Sequence, residues 1–106
     1  MRDGNFEDCC VEEASLRRVR AERANFARSR FVRADLSGTC LRASCLRYAD
    51  LSHAVLSGCD LREADLEQGN MHRALVEGAL WEGANTRLLR RTDPRRAAAE
   101  DFDVEG

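Results

Sequence analysis

The side chains best suited to metal binding or nucleophilic chemistry in this 106-residue sequence are five cysteines and two histidines: Cys9, Cys10, Cys40, Cys45, Cys59, His53 and His72. A zinc site needs several such ligands at short, matched spacings, and no C-x-x-C pair is present. A nucleophilic triad needs Ser or Cys, His and an acid brought together, and no spacing here gives a reason for that convergence. No Gly-rich phosphate loop occurs. The cysteines read as buried or inert surface thiols, with redox or metal roles as the alternative. No cofactor is expected, and an enzyme is not.

What positions these residues is a period of five. Residues 34–53 read ADLSGTCLRASCLRYADLSH, with Leu36, Leu41, Leu46 and Leu51 five apart. Five steps turn an α-helix by about 140°, and they put successive residues of a strand on opposite faces. Neither element can bury such a series unbroken. Counting by fives from Phe6 through Val11, Leu16 and Ala21 to Val76 and Trp81 meets only apolar residues, and Thr86 ends the run. At 43% apolar composition, that has a chance on the order of 10⁻⁶ in one phase. Two positions earlier runs a column of small residues, including Cys9, Ala34, Thr39, Ser44, Ala49, Cys59, Ala64 and Gly69, with Val19 the exception. A chain that turns a corner after each five-residue side points both columns inward and leaves the other three positions to solvent.

Charge selects the coil length. Stacked coils bring residues one coil apart to about 4.8 Å, like neighbouring strands. At a spacing of 20 the outward positions give seven opposite-charge pairs: Asp8–Arg28, Glu13–Arg33, Glu22–Arg42, Arg30–Asp50, Arg47–Glu67, Arg62–Glu82 and Glu67–Arg87. Only Arg42 and Arg62 clash. Spacings of 15 and 25 show no such excess, so four sides make one coil. The same register puts His53 and His72 on one face in neighbouring coils, but His53 stacks between Arg33 and Arg73, a cationic setting that disfavours a divalent ion. They are expected to be a surface pair.

The units ADLSG, ADLSH, CDLRE and ADLEQ resemble the A-(D/N)-L-X-X motif of pentapeptide repeat proteins. The resemblance covers residues 4–88. It implies an all-β solenoid, a right-handed quadrilateral β-helix of about four coils. Two units depart from the motif: VRAER (19–23) exchanges the large and small inward positions, and ANTRL (84–88) lacks the large centre. Both are expected to bulge or fray. The expected division is a repeat β-helix over 1–88 and a C-terminal tail over 89–106, in which Asp93 and Pro94 read as the start of a short helix. Leu88, Leu89, Ala98 and Phe102 are its candidate contacts with the last coil. Family resemblance also allows the tail to pair two solenoids as a homodimer. The N-terminal coil, with almost nothing before residue 4, is expected to be frayed, covered by a partner, or joined to another chain.

Net charge is −2, and coil by coil it runs −1, +3, −1 and −3 over residues 4–23, 24–43, 44–63 and 64–83. No basic stripe with stacking aromatics is present, so direct nucleic-acid binding is not expected. With no signal peptide and no apolar run long enough for a membrane, the expected compartment is the cytoplasm. Some pentapeptide repeat proteins imitate DNA and bind DNA gyrase. That alternative wants acidic faces throughout, and an arginine belt interrupts them here. Ice binding wants ranked threonines, and the three present are not ranked. The favoured reading is a non-catalytic scaffold or protein–protein interaction module with an unidentified protein partner. Its candidate surface is the apolar strip Val55, Leu75 and Leu80, which take outward positions where Asp or Asn is usual; either a partner or the chain's own tail covers it.

Overall fold

In the computed structural model, which describes residues 2–91, every fifth residue from Asp3 to Leu88 has a φ between 56° and 73°. These are the third residues of β-turns that begin at the large inward residues. Sixteen of the turns, from Phe6–Cys9 to Thr86–Leu89, close with a bond from the fourth residue's N–H to the first residue's carbonyl, as Thr39 N donates to Leu36 O at 3.1 Å. A positive φ at the third position alone is the sign pattern of a type II turn. Only four of these residues are glycine. For the others the left-handed conformation costs on the order of 1–2 kcal/mol each, so the surrounding hydrogen bonds must hold it.

They come from the coils above and below. Parallel bridges join residues 20 apart throughout, from Asn5 with Asn25 to Asn70 with Arg90. Around each bridge the chain makes three rungs. Leu36 N donates to Val55 O at 2.7 Å, Gly38 N to Ser57 O at 2.9 Å, and Asp35 N to Ala14 O at 2.9 Å. Twenty residues, in four five-residue sides, therefore make one coil, which is the register the charges select. Each side supplies a single bridging residue, so the coils are joined by isolated bridges and the described residues contain no extended strand.

Turn and ladder together use four of the five N–H groups in each unit that has a coil on both sides. The fifth, on the residue after the large one, has no backbone partner. Asp and Asn at the bridging position fill that gap, because their Oδ1 reaches the N–H two residues on in an Asx turn. All eight such residues do so, as Asp35 accepts from Ser37 N at 3.1 Å, Asp50 from Ser52 N at 3.0 Å and Asn70 from His72 N at 3.0 Å. The preference for Asp or Asn in the motif is thus a capping requirement repeated at each corner.

The large residues fill the interior. Phe31, Leu36, Leu41, Leu46, Leu51, Leu56, Leu61 and Leu66 are fully buried, while Phe6, Val11 and Leu16 at one end and Val76 and Trp81 at the other are partly so. Phe6 stacks on Phe26, one coil above, at 5.2 Å between ring centroids. Hydroxyl and thiol groups of the small column serve the same turns: Ser29 Oγ donates to Phe6 O at 2.7 Å, Thr39 to Leu16 O, and Cys59 Sγ to Leu36 O at 3.2 Å.

Neither atypical unit bulges. Ala21 is buried and Arg20 bridges Cys40; the local cost is confined to the Leu16–Val19 turn, the one that lacks its closing bond among the described residues. At the other end Asn85 bridges Asp65, and the ladder runs on to Arg90, two residues past the expected limit of the repeat. Leu89 occupies the small column directly above Gly69, where a Cβ on the glycine would lie 3.3 Å from its methyl. Gly69 makes room for that large side chain, which compensates for the missing centre as Val19 does for Ala21. The first coil is also tied down from its start: Asp3 N donates to Glu22 O at 3.0 Å, and Arg2 pairs with Glu22 at 2.9 Å.

Candidate functional site

Of the eighteen bridging positions only three carry large aliphatic residues, and these are Val55, Leu75 and Leu80. Each gives up the Asx cap that Asp or Asn would supply and presents hydrocarbon to water instead. Val55 is half-buried and bridges Leu75 directly, whereas Leu75 is 56% exposed and Leu80, which bridges Asp60 on the adjoining side, is 48% exposed. The three therefore form one patch near the C-terminal end. Leu88 is 63% exposed on a corner with φ 56°, and Leu89 is partly buried against the core. Phe102 and the expected helix after Asp93 lie outside the described residues.

Leu75 also borders an open groove of about 470 Å³ lined by His53, Arg73 and Ala74. His53 and His72 meet edge to face at 5.5 Å between ring centroids, and His53 N donates to His72 O at 2.8 Å. They are not a surface pair, since His72 is buried and His53 half-buried. The edge-to-face contact brings rings of two neighbouring coils together, His72 being the more deeply buried. No cluster of three or more His, Cys, Asp or Glu able to hold a metal exists among the described residues.

All five cysteines are free thiols. Burial pushes the Cys59 thiol up to about 12, which keeps it protonated and unreactive. Cys10 is exposed, and the Cys40 thiol faces the Asp60 carboxylate at 3.9 Å.

Of the seven ion pairs expected from the register, Asp8–Arg28 at 3.1 Å, Arg47–Glu67 and Glu67–Arg87 at 3.9 Å form. Three others find different partners: Glu22 pairs with Arg2 at 2.9 Å while Arg42 turns to Glu63 at 3.4 Å, Arg30 pairs with Glu12 at 2.9 Å, and Arg62 folds back on Asp60 of its own unit at 2.7 Å. Arg23 with Asp3, at 2.7 Å, adds a pair 20 apart that begins before residue 4. The hydrogen bond from Arg62 holds the Asp60 carboxyl below the usual range, and that from Arg47 does the same for Glu67. Among the described residues most arginines thus lie against carboxylates, which leaves neither a basic stripe nor an unbroken acidic face there. No helix among the described residues is long and apolar enough to cross a membrane.

Tyr48 was not singled out by sequence pattern, yet it is 51% exposed on a positive-φ corner. Only the corner rule itself, that the residue two after each large one points outward, could have found it.

Comparison with known proteins bears on all of this. The family described as "Pentapeptide repeats" matches residues 9–47 and 44–83, with eight copies. Among solved structures, the pentapeptide repeat protein alr5209 of Nostoc PCC 7120 superposes with a TM-score of 0.68 at 26% identity, over 82% of this chain and 84% of that one. The pentapeptide repeat protein Rfr23 of Cyanothece 51142 gives 0.58 at 20% identity, over 83% and 84%. The plasmid-mediated fluoroquinolone resistance protein QnrB1 aligns at 16% identity with a TM-score of 0.39, over 96% and 69%, which is too distant to bear on function. No curated protein matches the chain in sequence.

Proposed function

This chain belongs to the pentapeptide repeat family, and from that premise we propose that it is a non-catalytic scaffold, a right-handed quadrilateral β-helix that docks a protein partner on the strip Val55, Leu75 and Leu80. The observation that carries the reading is the loss of the corner cap at three neighbouring positions in exchange for exposed aliphatic side chains. Seven other bridging positions also lack Asp or Asn, but they carry Cys, Ser or Arg; only these three put aliphatic side chains at an outward position, and exposed apolar clusters are where binding surfaces tend to lie. Three side chains cover less than the roughly 800 Å² per partner of a standard interface. The docking surface accordingly extends over neighbouring residues, and binding is reversible.

The right hand of the coil follows the preference of parallel crossovers. The cytoplasm, where free thiols persist, is the proposed compartment. Capture of a partner by the purified protein, with Leu75→Arg as control, tests the strip; recovery unchanged by that substitution would remove it as the site. Imitation of DNA toward gyrase predicts inhibition of supercoiling or protection from a gyrase poison. The arginines against the acidic faces argue for neither, and the scaffold reading expects an unaltered supercoiling assay.

A further inference from the structure

The last described residue, Arg91, lies one coil above Met71, since Asn70 bridges Arg90 and Met71 N donates to Arg90 O at 2.7 Å. Its guanidinium sits over the Trp81 ring at 5.8 Å. Arg91 thus lies one coil above the residue that precedes His72 and Arg73, and Arg73 lines the groove together with His53, Ala74 and Leu75. Fifteen residues follow, ending EDFDVEG over 100–106, where four carboxylates and no cation flank Phe102 and Val104. At about 3.3 Å per extended residue, they reach the whole groove with length to spare. The groove offers the complementary chemistry, with the Arg73 guanidinium and the His53 imidazole beside the exposed side chain of Leu75.

We propose that residues 100–106 of this chain dock in its own groove, with the carboxylates of Asp101 and Asp103 against Arg73 and His53 and the Phe102 ring on Leu75 and Val55. The segment is then an intramolecular competitor for the partner surface. A partner gains access by displacing it, and an acidic peptide carrying a central aromatic residue is the ligand class that does so. This use as a competitor rests on the docking reading above; occupation of the groove by the segment does not.

The test is NMR on the full-length isotopically labelled chain. Expected are contacts from the Phe102 ring to the Leu75 and Val55 methyls in about 10 mM salt, where the Debye length is about 30 Å. They should weaken in about 1 M salt, where it is about 3 Å. Phe102→Ser should move the Leu75 methyl resonances while leaving the core resonances in place. Absence of those contacts, or contacts found only between differently labelled copies as concentration rises, overturns the proposal, the second result in favour of a second molecule's tail. The two readings separate because partner capture is scored independently. Loss of capture in Leu75→Arg without Phe102 contacts keeps the docking surface and removes the tail. Phe102 contacts with capture indifferent to Leu75 do the reverse.

Discussion

Leu16, Leu36, Leu56 and Val76 stack in one column, one per coil, and a substitution series along it tests the closed interior directly. Leu36 and Leu56 are fully buried; Leu16 at the open end is partly so. Truncating Leu56 to Ala removes three carbons, about 2.4 kcal/mol of transfer free energy at about 0.8 kcal/mol each. Leu56 lies between Leu36 below and Val76 above in a ladder fixed by hydrogen bonds on both sides, so the walls collapse little. A residual cavity of about 70 Å³ at about 24 cal/mol per Å³ adds about 1.7 kcal/mol. The expected loss is therefore about 4 kcal/mol for Leu56→Ala and Leu36→Ala, and roughly half that for Leu16→Ala. Urea unfolding followed by far-UV circular dichroism measures it, with Leu75→Ala, at an exposed position, as a control expected within about 0.5 kcal/mol. A loss below about 1 kcal/mol at both Leu36 and Leu56, or equal losses at Leu56 and Leu75, would refute a shared interior.

Other measurements bear on the corners and the surface. The Asp3, Asp35, Asp60, Glu22 and Glu67 carboxyls are all held below their ordinary values of 3.8 and 4.5, by hydrogen bonds to arginine or serine or by neighbouring arginine charge. A depressed folded value stabilises the fold above the unfolded one and loses that contribution as pH falls through it. Thermal midpoints should hold from pH 7 to about 5 and decline below about 4.5, and a midpoint that rises on acidification would contradict these pairs. Ala43 sits at φ 58°, so Ala43→Gly removes left-handed strain of about 1–2 kcal/mol against about 0.5–1 kcal/mol of added chain entropy. Its urea midpoint should shift upward by the difference. Under a thiol reagent at pH 8, exposed Cys10 should label quickly, and Cys59 only after unfolding; rapid modification of Cys59 in the native protein would place it outside the core.

The interior was legible because its signal is periodic: one apolar residue in five has no competing explanation, and the charges one coil apart fix the lap at twenty. What pattern could not give is how individual corners resolve. Arg62 sits 20 residues from Glu82, yet it finds Asp60 two residues away on its own corner, because the Asp60 carboxylate is already held by the bond from Arg62 N and only the arginine side chain remains to be ordered. Val19 and Leu89 look like errors in the small column until the partners that accommodate them, Ala21 and Gly69, are seen in place. The contact between His53 and His72 depends on where a positive-φ corner aims its side chain, and a five-residue period says only which side of the coil it is on.

The same hydrogen-bond accounting links fold to function. Each unit leaves one N–H that only the bridging residue's side chain can reach, so Asp or Asn there stabilises the corner and anything else leaves that group to water. Serine, cysteine or arginine at that position gives up the cap and still faces solvent favourably. An aliphatic side chain gives up the cap and also exposes hydrocarbon, two unfavourable terms with no return inside the coil. Val55, Leu75 and Leu80 carry both, and they are adjacent in the last two described coils. A cost incurred at adjoining positions is offset only by something that covers them together, so the surface is a binding surface before its occupant is known.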